Sequence, residues 1–212
     1  MYLNTKPIFT LLGLLFFVQI AWTQQENNVK EEIKPGFEIF FSVNYVQPIF
    51  YGDNFINATY DLDGGINFGV ATTFFYNMRA YLDFSISSGN VERPELIGNI
   101  RSSNFNRVSF GLGYPLTIHR KIDITPSLHT GYIKLRHNLN FTNDKPRDDG
   151  LFFGVKVQFN YEIYHRLELN ISIINYFDFF RIESASQDQS FFDNAQSIYP
   201  SLGLRFKVFG SQ

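Results

Sequence analysis

From Leu151 to Ile173 the chain alternates bulky apolar residues with small or polar ones. Leu151, Phe153, Val155, Val157, Phe159 and Tyr161 share one parity, and Gly154, Lys156, Gln158 and Asn160 share the other. After the interruption EIYHR the beat resumes, with Leu167, Leu169, Ile171 and Ile173 set against Glu168, Asn170 and Ser172. Successive side chains of a strand point to opposite faces, so this alternation predicts strands with two unlike faces. Helical spacing from Leu151 reaches Gly154, Val155 and Gln158, which makes no apolar stripe. Two such runs joined by a few residues predict a β-hairpin. Each run has roughly the 9 to 11 residues that a tilted strand needs to cross a membrane.

The same beat recurs and predicts eight strands, near 36–46, 65–75, 80–89, 104–115, 121–134, 150–161, 166–176 and 196–209. The connections near 76–79, 116–120 and 162–165 are short. Those near 47–64, 90–103, 135–149 and 177–195 are long and rich in Asn, Asp, Ser and Gly. Short and long alternate without exception, as in barrels of the outer membrane, where tight periplasmic turns face longer external loops. A soluble eight-stranded barrel shares the alternation with its apolar face turned inward. The second parity discriminates, because it holds Gly69, Gly111, Gly113, Gly131, Gly154 and Gly203 beside Ser42, Ser85, Ser109, Ser127, Ser172 and Ser201. Gly weakens an exposed strand, whereas a narrow barrel interior needs small residues. The apolar parity therefore faces outward, onto lipid. The predicted class is all-β: an eight-stranded antiparallel up-and-down transmembrane β-barrel. Pro126 and Pro200 interrupt two runs, and either mark bulges near the membrane rims or move the strand boundaries there.

The stretches VSFGLGYPL, IDITPSLHTGYIKL, FFGVKVQFNYEI and YPSLGLRFKVF carry a resemblance. The chain resembles the small eight-stranded outer-membrane barrels of OmpA/OmpX type, and more nearly the "outer membrane protein β-barrel domain" group of Gram-negative bacteria, over about residues 36 to 209. Many such barrels end on an aromatic residue; here Phe209 is followed by GSQ. The resemblance implies fold and outer-membrane location, and says little about activity.

The N-terminus extends the picture. Lys6 precedes the apolar run IFTLLGLLFFV at 8–18, and AWTQQ follows with small residues at Ala21 and Thr23. This predicts a signal peptide over residues 1–23, a polar periplasmic leader over 24–35 and a barrel domain over 36–209. A formal charge of −2 argues against a nucleic-acid partner. With no cysteine, disulfides, thiolate metal sites and cysteine nucleophiles are excluded. Aromatic residues make up 18% of the chain, and Tyr45, Tyr76, Tyr81, Tyr114, Tyr132, Tyr161, Tyr164 and Tyr176 are expected in interfacial girdles.

The inward parity also carries charge. Glu38, Asp83, Asp123 and Glu168 each sit between apolar residues near the predicted periplasmic end. Arg107, Lys156, Arg205 and Lys207 balance them, and His129 adds a titratable group. Buried charges are tolerated when paired, so these nine residues are expected to form a structural network, with Glu38 paired to Lys207 or Arg205 across the closing seam. Phe40, Phe75 and Phe152 add bulk, and the lumen is expected to be plugged. Catalysis needs a nucleophile, a base and an orienting acid within reach. His119 and His165 fall in short turns, His129 points inward, and His137 alone is placed for chemistry at the outer surface. GLG at 111–113 lacks a nucleotide loop's spacing, DLDGG at 61–65 reads as a turn rather than a calcium loop, and NAT at 57–59 carries no weight as a sequon. No enzyme activity, cofactor or metal is expected. For Phe177, Phe179, Phe180, Phe191 and Phe192 in the last long loop, packing over the barrel mouth and binding of a protein partner both stay open. The expected function is a monomeric, lipid-embedded barrel with a structural or surface-interaction role. The alternatives are a subunit of a larger envelope or secretion assembly, and a lipid-modifying enzyme.

Overall fold

The computed structural model describes residues 37–141, 145–182 and 189–210. The predicted signal peptide and leader, and residue 36 of the predicted barrel, lie outside the described residues. Eight long strands form the wall: β1 (Glu38–Val46), β3 (Tyr60–Phe74), β4 (Met78–Val91), β5 (Ile100–Gly113), β7 (Ile122–Leu139), β8 (Arg147–Tyr164), β9 (Leu167–Phe180) and β10 (Asn194–Phe209). Each pairs antiparallel with the next, and β10 returns to β1, so the sheet is closed. Two short strands, β2 (Ile49–Tyr51) and β6 (Leu116–His119), extend it at β10 and β7. Three short helices lie in the long connections: α1 (Phe55–Thr59), α2 (Pro94–Ile97) and α3 (Gln189–Asp193).

The predicted faces hold along the membrane-length part of every strand. Leu82, Val108, Phe110, Leu128, Val157, Ile171, Ile173 and Leu202 are exposed on the outside. Ser85, Ser109, Ser127, Ser172, Asp83, Arg107, His129, Lys156 and Arg205 are buried inside, and Glu38, Asp123, Glu168 and Lys207 partly so. Side chains crowd this interior so closely that a Cβ added at Gly111 would collide with the His129 ring.

The strand boundaries differ from expectation at the long-loop end. There β3 begins at Tyr60, β7 runs to Leu139 and β9 to Phe180. Ladder hydrogen bonds continue past the lipid-facing band, where most outward rows turn polar and apolar side chains such as Phe105, Ile133 and Leu135 appear on the inward face, so the apolar beat no longer marks the strand. DLDGG accordingly lies within β3, as a bulge between Leu62 and Gly65, and not in a turn. Phe75 lies in a 3-10 turn and is 78% exposed rather than inside the lumen. Tyr81 and Tyr176 are buried in the lumen, not in a girdle.

No bulge marks either proline. Pro126 stays in register with β8 and Pro200 with β9. On their other sides the partner strand is interrupted: β7 passes from β5 to β6 around Tyr114 and Pro115, and β10 passes from β1 to β2 around Gln47 and Pro48. The carbonyls of Pro126 and Pro200 accept from Tyr114 and Gln47 across those breaks. The N–H that each proline lacks would have pointed into a gap in the ladder.

Candidate functional site

The lumen is built in layers. At the short-turn end, Lys207 Nζ lies 2.7 Å from Glu38 Oε1, across the β1–β10 seam. Deeper in, Arg205 bonds Glu168 and reaches Asp123 Oδ2 at 3.1 Å, while Arg79 lies 3.6 Å from Asp123 Oδ1. Asn160 donates to Asp123 at 2.6 Å and accepts from Asn170 and Gln158. The Phe40 ring sits between two guanidinium groups, 4.8 Å from Arg79 and 4.4 Å from Arg205. A cavity of about 200 Å³ opens at this end, lined by Arg79, Lys121, Asp123 and Glu162 among others.

The middle layer is looser. Lys156 Nζ and His129 Nδ1 lie 3.6 and 3.7 Å from Asp83 Oδ2, and the His129 ring stacks near Tyr81. Above it Arg107 makes a two-pronged bond to Asp178, at 2.5 and 2.8 Å, with 2% and 0% of the two side chains exposed. Phe152, Tyr176 and Tyr199 surround that guanidinium at 5.2, 4.3 and 5.0 Å.

The long-loop end closes with an apolar core. Helix α1 starts at Asn54, whose side chain accepts from Asn57 N at 3.0 Å and caps the helix. It turns Phe55 and Ile56 into the mouth, onto Phe105, Leu135 and Phe180. Phe191 and Phe192 pack against the same cluster, so these two loop aromatics cover the mouth. Beside this core Ser103 Oγ lies 2.6 Å from His137 Nδ1, and His137 Nε2 lies 2.8 Å from Asp148 Oδ2. Serine, imidazole and carboxylate thus stand in hydrogen-bond series, as hydrolytic triads do. Ser103, however, is 0% exposed and its Oγ also bonds the Tyr60 hydroxyl at 2.8 Å. The relay ties β3, β5, β7 and β8 together and offers a substrate no approach to the hydroxyl.

The closed eight-stranded antiparallel wall recurs in solved structures. Neisserial surface protein A superimposes with a TM-score of 0.50 and 11% identity, over 81% of this chain and 96% of that one. A major outer membrane protein from Thermus thermophilus gives 0.53 and 11%, over 80% and 99%. The fold is that of a small outer-membrane β-barrel. No protein-family model and no curated protein matches the sequence.

The nine residues singled out in the sequence all line this barrel's interior, but in separate layers. Glu38 and Lys207 form one pair, Asp123, Glu168 and Arg205 a cluster, and Asp83, His129 and Lys156 the middle group. Arg107 meets none of the other eight at ion-pair distance; its partner Asp178 escapes sequence reasoning, as do Arg79 and Asp148. Asp178 stands between Phe177 and Phe179, the same acid-between-apolars pattern as Asp83 in LDF, and is hidden because the predicted strand ends before it.

Proposed function

We propose that the chain is an integral, monomeric protein of the Gram-negative outer membrane, exported by residues 1–23, with a sealed lumen. Its role is then structural or lies at its external surface, without conduction or catalysis. The observation that carries this reading is the stacking of an apolar core, including Phe55, Ile56 and Phe105, directly above the Arg107–Asp178 pair. Side chains of both layers are buried, Ile56 and Phe105 above and Arg107 and Asp178 below, and an eight-stranded barrel has room only for side chains, which supports a sealed lumen. The burial of Ser103 supports the non-catalytic part.

The test is conductance in a planar bilayer. The purified barrel should give no steady open level, and a reproducible channel in the intact protein rejects the sealed-lumen reading. A fluorophosphonate probe should leave Ser103 unlabelled; labelling that disappears in Ser103→Ala would make the relay catalytic. The mass of the mature protein checks the cleavage expected after Thr23.

A further inference from the structure

Along most strands the outward row stays apolar and then turns neutral or acidic at the external end. On β7 and the end of β9 it turns basic, and on β8 it passes one acid, Asp149, before the basic Arg147. Tyr132 on β7 is followed on the outward row by Lys134 and Arg136. On β8, Leu151 is preceded by Asp149 and Arg147, and on β9 Phe179 leads to Arg181. Arg136 stands directly opposite Arg147 in the ladder, while Lys134 faces Asp149. Both arginines are exposed, and among the described residues neither has a carboxylate within 4.0 Å. Like charges directly opposite on a sheet are destabilising unless something lies between them. The opposite flank has the other sign: Asp61 and Asp63 lie at the external end of β3, both exposed.

We propose that the Lys134–Arg136–Arg147–Arg181 patch binds the phosphate of an anionic outer-leaflet lipid, whose acyl chains lie on Tyr132, Leu151 and Phe179 below it. The proposal rests on the membrane reading above. Guanidinium forks match phosphate oxygens, and one anion between two opposed arginines turns their repulsion into two charge-assisted contacts. Spacing fits a lipid better than a free ion. Successive outward residues on a strand are about 7 Å apart, so the phosphate stands one step above Phe179 through Arg181 and two steps above Tyr132 and Leu151 through Arg136 and Arg147, all on a single face. Charge complementarity confines the site to one flank of the barrel.

The experiment uses the full chain refolded into phosphatidylcholine vesicles and then taken into detergent with phosphatidic acid, a phosphate monoester lipid. Native mass spectrometry should find phosphatidic acid retained in preference to phosphatidylcholine. Two basic residues near an anionic surface contribute about 30-fold, so Arg136→Gln with Arg147→Gln should cut the preference by about that factor. Asp61→Asn with Asp63→Asn should leave it unchanged. A second readout has opposite signs: Arg147→Gln should raise the unfolding temperature in phosphatidylcholine vesicles and lower it when phosphatidic acid is present. Undiminished preference in the double variant, equal retention of both lipids, or displacement by equimolar inorganic phosphate overturns the proposal. Failure of the wild-type chain to insert into phosphatidylcholine vesicles strikes instead at the membrane reading itself.

Discussion

Asp178→Asn tests the interior most sharply. The substitution keeps size and shape but leaves the Arg107 guanidinium charged, 2% exposed and without a counter-ion. The Tyr199 hydroxyl, 3.3 Å away, and three aromatic faces remain around it, which is too little to replace two carboxylate bonds. Breaking a buried pair by removing one partner costs about 3 to 5 kcal/mol. With a urea slope of roughly 2 kcal/mol/M, the unfolding midpoint should fall by about 2 M. The assay is a urea titration in vesicles, read by the mobility shift between folded and unfolded barrel on an unheated gel. Arg107→Met with Asp178→Leu removes both charges and should recover most of the loss, because a well-packed apolar replacement of a buried pair is often neutral. A midpoint shift below about 0.5 M for Asp178→Asn would mean that water reaches this layer, since only solvation could spare an unpaired guanidinium its penalty.

The seam pair should behave differently: Glu38 and Lys207 are 23% and 29% exposed, so Glu38→Gln should cost about 1 kcal/mol or less in the same titration, yet more than Glu162→Gln. Val157→Arg or Ile171→Arg puts a charge on the lipid face and should lower folding yield into vesicles, at a cost of about 2 to 4 kcal/mol near the midplane; normal folding of both variants would count against the outward assignment. Gly111→Ala drives a methyl onto the His129 ring and should destabilise by about 1 to 3 kcal/mol, whereas an unchanged midpoint would mean that the ring is free to move aside.

The wall of the barrel is legible in the sequence because lipid imposes a single demand on every outward residue. Ile171 and Ile173, or Val155 and Val157, announce the strand without any knowledge of their partners. The layers inside are only half legible. Glu38 can be placed against Lys207 or Arg205 from the closing seam alone, because first and last strands must meet, and Lys207 is the partner. Arg107 can be placed inward but not paired, since Asn175 interrupts the outward apolar row of β9 before Phe177 and Phe179 resume it around Asp178. Asp148 falls outside the predicted strands for the same reason, and Arg79 lies one residue before the predicted start of its own. Past the band, neither face meets lipid, and the alternation that identifies a strand fades while the hydrogen-bond ladder continues. The apolar core at the mouth leaves a different trace, in Ile133, Leu135 and Phe105 on the otherwise polar inward parity.

The interior layers also dictate an order of events. Arg107 and Asp178 are 71 residues apart in the chain, Asp123 and Arg205 are 82 apart, and Glu38 and Lys207 are 169 apart. Arg205 meets Glu168 within the β9–β10 hairpin, but among the described residues no neighbouring hairpin supplies an ion-pair partner for Arg107, Asp178, Glu38 or Lys207. A partly zipped sheet entering hydrocarbon would carry each of them bare, at several kcal/mol apiece. Pairing at such separations is slow, because loops must close before the contacts reward them. Ring closure and bilayer crossing are therefore coupled, and the rate of insertion should follow the meeting of the first and last strands rather than the formation of any one hairpin.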